Sequence, residues 1–146
     1  MKINKLKKMI AIAAISTSIA TIIPMSASAE WLQDSENNWN WTENGSKAVG
    51  WKQINGIWYH FNENGKMQTG WVKDENSKWY YMNSDGSMKT GWLYNTDGKW
   101  YYMNSDGSMK TGWIYDTNGK WYFANSSGIM QTGITEIEGK AYALGE

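Results

Sequence analysis

The dipeptide Gly-Trp recurs at Gly50-Trp51, Gly70-Trp71, Gly91-Trp92 and Gly112-Trp113, at intervals of 20, 21 and 21 residues. A further 21 residues leads to Gly133-Ile134, where the Trp is lost. A second aromatic cluster follows within each unit: Trp58-Tyr59-His60-Phe61, Trp79-Tyr80-Tyr81-Met82, Trp100-Tyr101-Tyr102-Met103, Trp121-Tyr122-Phe123-Ala124 and the eroded Ala141-Tyr142-Ala143. A period this short leaves each unit too small for a core of its own, so the units must stack on one another, each touching only its neighbours. Upstream, Trp31 and Trp39-Asn40-Trp41 mark an imperfect first unit.

Each unit reads as a β-hairpin. Short strands such as Trp71-Val72-Lys73 and Trp92-Leu93-Tyr94 run into Asn55-Gly56, Asp97-Gly98 or Asn118-Gly119, dipeptides whose tolerance of positive φ suits tight hairpin turns, with Asn76-Ser77 as the exception. A second turn, as in Asn83-Ser84-Asp85-Gly86 or Asn104-Ser105-Asp106-Gly107, closes the unit before the next Gly-Trp. No window supports a helix, and a lone hairpin is marginal in water, so the fold class is an all-β solenoid of stacked hairpins.

Composition narrows the function. With no Cys there is no thiol nucleophile and no Cys-ligated metal site, and His60 is the only histidine around which a triad could be built. It reads instead as a substituted aromatic slot. Asp85, Asp97, Asp106 and Asp116 recur with the period in predicted turns, as solvated turn residues do. No catalytic residue, metal ligand or cofactor is therefore assigned, and the chain is expected not to be an enzyme.

The N-terminus reads as an export signal. Lys2, Lys5, Lys7 and Lys8 precede an apolar run from Met9 to Ile23, and Ala27-Ser28-Ala29 supplies a small-x-small cleavage site. Cleavage after Ala29 leaves no membrane span and a secreted chain with 10 Lys, no Arg and 14 acidic residues. That negative balance excludes a phosphate-tracking nucleic-acid binder. The organisation is thus a signal peptide over 1–29, a degenerate repeat over 30–49, four repeats over 50–133 and a degenerate repeat over 134–146. Oligomeric state is left open.

Eleven Trp and nine Tyr exceed what stacking such small units needs, and surplus aromatic surface points to binding. Gly-Trp, then Trp-Tyr-Tyr, then Gly-x-Met-x-Thr-Gly-Trp is similar to the choline-binding or cell-wall-binding repeat of Gram-positive surface proteins and lysins. The resemblance is close over about residues 50 to 133. It implies a left-handed hairpin solenoid whose partner is choline-decorated teichoic acid or another wall polymer, with choline held between consecutive units by two Trp of one and an aromatic of the next.

Carried onto this chain, the resemblance implies cages of Trp51, Trp58 and Tyr81, of Trp71, Trp79 and Tyr102, and of Trp92, Trp100 and Phe123, where Phe replaces Tyr. A fourth pair, Trp113 and Trp121, would have only Ala143 opposite and be weak or absent, and a Trp31 pocket would have His60 in its third slot. On strand parity, Trp79 and Tyr81 share a face and Tyr80 points to the other, toward the solenoid core. The alternative function is a glucan-binding repeat module, since sugar rings also stack on Trp and Tyr.

Overall fold

A computed structural model describes residues 28–145. The expected signal segment lies outside the described residues except for Ser28 and Ala29, and Ala29 is the first residue of a strand.

Thirteen strands and no helix make up the described chain, in the order β1 (Ala29–Gln33), β2 (Trp39–Glu43), β3 (Ser46–Lys47), β4 (Gly50–Ile54), β5 (Ile57–Phe61), β6 (Gly70–Lys73), β7 (Trp79–Met82), β8 (Gly91–Tyr94), β9 (Trp100–Met103), β10 (Gly112–Tyr115), β11 (Trp121–Ala124), β12 (Gly133–Ile137) and β13 (Lys140–Leu144). They pair as successive antiparallel hairpins, with β3 added to the edge of β2. The register repeats. Trp71 faces Tyr81, Val72 faces Tyr80 and Lys73 faces Trp79, just as Trp92 faces Tyr102, Leu93 faces Tyr101 and Tyr94 faces Trp100.

The hairpins are joined by a backbone staple. After β7 the chain turns through Asn83–Ser87, and Met88 bridges back to Met82 of its own hairpin while its N–H donates to the Trp58 carbonyl of the hairpin before, at 2.8 Å. The same bond runs from Met67 to Trp39, Met109 to Trp79 and Met130 to Trp100. Stacking is therefore directional hydrogen bonding as well as apolar contact, which offsets the cost of leaving edge strands open.

One face of each hairpin builds the core. Val72 and Met82 in one unit, Leu93 and Met103 in the next, and Ile114 and Ala124 in the third are all buried, and Met82 is fully sequestered. These positions share a face because Gly70↔Met82 and Val72↔Tyr80 are opposed pairs two residues apart.

The tight turns split into two kinds. Asn55 and Gly56 both take positive φ, at 50° and 82°, the two-residue turn expected of Asn-Gly. Asp97-Gly98 and Asn118-Gly119 depart from that expectation, because only the Gly is left-handed there. Gly98 N–H donates to Asn95 O and Asn95 N–H to Lys99 O, a three-residue loop whose last position is left-handed. In the β6–β7 hairpin that position is Ser77, at φ 64°. A side chain there is strained by roughly 1 kcal/mol. Ser77→Gly is accordingly expected to raise the unfolding midpoint in denaturant, by the equivalent of about 0.5–1 kcal/mol; an unchanged or lowered midpoint would contradict that strain.

Candidate ligand cages

The opposite face of each hairpin carries Trp71, Trp79 and Tyr81 together, as parity requires. Trp71 meets Trp79 at a centroid distance of 6.2 Å and 88°, nearly perpendicular. The third wall comes from the next hairpin and is Tyr101, 4.9 Å from Trp71 at 70°. Met109, stapled to the Trp79 carbonyl, completes the lining.

The arrangement repeats along the chain. Trp51, Trp58 and Tyr80 enclose one cage with Met88. Trp92, Trp100 and Tyr122 enclose another with Met130. Trp113 and Trp121 form the same right angle, with Tyr142 at 5.0 Å from Trp113. At the N-terminal end Trp31 and Trp39 are met by Tyr59 at 4.9 Å.

The structure thus brings together each expected Trp pair, Trp51 with Trp58, Trp71 with Trp79 and Trp92 with Trp100. It does not bring them the expected third ring. Tyr81, Tyr102 and Phe123 pack in their own hairpins against Trp71, Trp92 and Trp113, at 5.2, 5.0 and 5.2 Å. The correction has a simple cause. Stacked hairpins meet front to back, so the ring offered to the Trp face of one unit comes from the reverse face of the next. That face has the other parity and carries Tyr80, Tyr101, Tyr122 and Tyr142. The expectation that Tyr80 is purely a core residue fails for the same reason: it is half-buried and serves both surfaces. The ring facing the fourth pair is Tyr142, with Ala143 beside it in the lining, and the ring facing the Trp31 pocket is Tyr59 and not His60, which packs on Trp51 of its own hairpin at 4.8 Å.

Hydrogen bonds hold the walls upright. Tyr101 Oη donates to Asp97 Oδ2 at 2.7 Å, and Tyr80 Oη to Asp74 Oδ2 at 3.3 Å, each tying a cage phenol to the turn of its own hairpin. Asn118 Nδ2 donates to Tyr122 Oη at 2.7 Å. Trp92 Nε1 donates to Asp116 Oδ2 at 2.9 Å, which holds that carboxyl below the usual range. Burial, followed by the bond to Asp97, pushes the Tyr101 phenol up to about 12, so its ring stays neutral at physiological pH.

Between the walls the Trp faces remain accessible: Trp58, Trp79 and Trp100 are 40, 39 and 42 % exposed. Rings partly open to solvent at the centre of a repeated contact are unlike core aromatics. Three π faces around one small volume attract a cation by their quadrupoles, at roughly 0.5–2 kcal/mol per ring.

The choline-binding repeat family matches residues 48–89 and 75–109, and the cell wall binding repeat matches residues 111–130, together more than half of the chain. This is a choline-binding repeat protein. Among solved structures, CbpJ from Streptococcus pneumoniae TIGR4 is 35% identical with a TM-score of 0.73, over 81% of this choline-binding repeat protein and 40% of CbpJ. Choline binding protein F from Streptococcus pneumoniae, solved in the presence of a peptidoglycan analogue, is 41% identical with a TM-score of 0.70, over 81% of this chain and 43% of its own. The pneumococcal cell wall endolysin from phage Cp-1, complexed with choline, is 37% identical with a TM-score of 0.60, over 80% of this chain and 35% of the endolysin. The choline-binding repeat protein therefore spans well under half the length of these relatives. No curated protein matches it.

Proposed function

We propose that this chain is a secreted, non-catalytic cell-wall-binding module that holds the choline groups of teichoic acid in the cages between successive hairpins. The observation that carries the reading is the near-perpendicular Trp pair with a Tyr from the following hairpin, repeated from Trp31 to Tyr142. A trimethylammonium group cannot donate a conventional hydrogen bond, so enclosure by ring faces is how a protein recognises it. The endolysin relative was solved with choline bound, which supports the same ligand here.

Geometry favours the cation over a sugar. A pyranose stacks on one broad flat ring and needs hydrogen-bonding groups around its edge. Walls at 82 to 88° instead enclose a compact, roughly spherical group. Several turn aspartates accept hydrogen bonds within their own turns, as where Asp85 Oδ1 accepts from the Ser87 N–H and hydroxyl.

A single cage is expected to reach about millimolar affinity, roughly −4 kcal/mol. Several cages facing a polymer that repeats its own choline groups gain roughly 10² to 10⁴ in avidity where geometry allows simultaneous engagement. Repetition is then the source of useful adhesion, and export by residues 1–29 would deliver the module to the wall. Titrating the purified chain with choline and with a neutral glucan, while following Trp fluorescence, tests the reading. Saturable change with choline alone is expected; a response to the glucan alone would replace it with the carbohydrate reading.

A further inference from the structure

The cages share their rings but not their charges. The Trp51 cage is lined by two carboxylates, Asp74 and Asp106. Asp74 belongs to the turn of the adjoining hairpin, whereas Asp106 comes from the closing turn one repeat further on, so three consecutive repeats build this site. In the Trp71 cage the position 21 residues beyond Asp106 is Ser127, which lines the site together with Ser126, and the position 21 beyond Asp74 is Asn95. No acid lines the Trp71 cage directly, Asp97 reaching it only through its bond to the Tyr101 hydroxyl, and the protein's own Lys73 Nζ lies 5.5 Å from the Trp79 ring centroid. The Trp92 cage is intermediate, with Asp116 alone.

Resting on the choline reading above, we infer that the cages are ranked by charge, and that Asp74 and Asp106 make the Trp51 cage fill first while Lys73 makes the Trp71 cage fill late. Asp106 stays ionised because the Ser108 hydroxyl and N–H both donate to its Oδ1, at 2.6 and 2.9 Å. Lys78 is the nearby cation that acts on it; it is exposed, as Lys73 is, so solvent screens both and the two carboxylates carry most of the difference. Asp74 is anchored toward the cage by the Tyr80 hydroxyl. At separations of several ångströms near a protein surface, two carboxylates against one ammonium change cation affinity by roughly tenfold. A neutral ligand of the same shape feels no such difference. The specificity-determining residues of the array are therefore Asp74, Asp106 and Lys73, outside the aromatic motif.

The test is a titration of the purified chain with choline, following each indole N–H by NMR, beside the same titration with the uncharged isostere in which tert-butyl replaces trimethylammonium. Trp51 and Trp58 should half-saturate at roughly one tenth the choline concentration needed by Trp71 and Trp79, and the isostere should show no such gap. Asp74→Asn with Asp106→Ser gives the Trp51 cage the residues that its neighbour already folds with, and should close the gap. Lys73→Gln with Ser127→Asp should lower the half-saturation of the Trp71 cage. Equal half-saturation in the native chain, or a gap that survives the Asp74 and Asp106 changes, overturns the ranking while leaving the choline reading intact. If no indole responds to choline, both fall.

Discussion

Tyr101→Ala is expected to remove one choline site and to lower stability by roughly 3 kcal/mol or more, the cost of truncating a buried aromatic. Its ring is 7 % exposed, stands 4.9 Å from Trp71, and anchors to Asp97 through a 2.7 Å hydrogen bond. The core and the cage therefore fail together. Tyr102→Ala makes the informative contrast. Tyr102 packs on Trp92 inside its own hairpin, so the change should cost packing energy while the number of sites stays the same. Calorimetry counts the sites and denaturant titration reads the stability. Loss of a site in Tyr102→Ala, with the full number retained in Tyr101→Ala, would return the third wall to the parity that the sequence suggests.

Saturating choline is expected to stabilise the fold by mass action, since every cage joins at least two hairpins and vanishes when they separate. At one hundred times the dissociation constant each occupied site contributes about 2.7 kcal/mol, so several sites should raise the melting temperature substantially. The effect should follow the quaternary ammonium group. An equal shift from sodium chloride at matched ionic strength, recorded by thermal melts at fixed protein concentration, would count against the cages.

The hairpins were readable because their signals are local. The Gly-Trp period, the strand alternation and the Asn55-Gly56 turn each depend on residues within one unit. Turn type was less readable where Asp97-Gly98 and Asn118-Gly119 resemble a two-residue turn but sit in a longer loop, because strand register decides how many residues the turn must span. The Trp pairs were readable too, since Trp71 and Trp79 lie on one face of one hairpin by parity alone.

By itself, then, the sequence determined the repeat length, the all-β hairpin unit, the face shared by each Trp pair and the surplus of rings that marks a binding surface. Only the tertiary structure decided which ring closes each cage and which charges surround it. Parity relates side chains within a strand, but it carries no information on which face of one unit meets which face of the next. Stacking is front to back, held by the Met N–H bonds to Trp carbonyls, and that sets Tyr101 rather than Tyr102 before Trp71. The same stacking carries Asp106 across a whole repeat to the Trp51 cage, a proximity created by the solenoid and absent from any single unit.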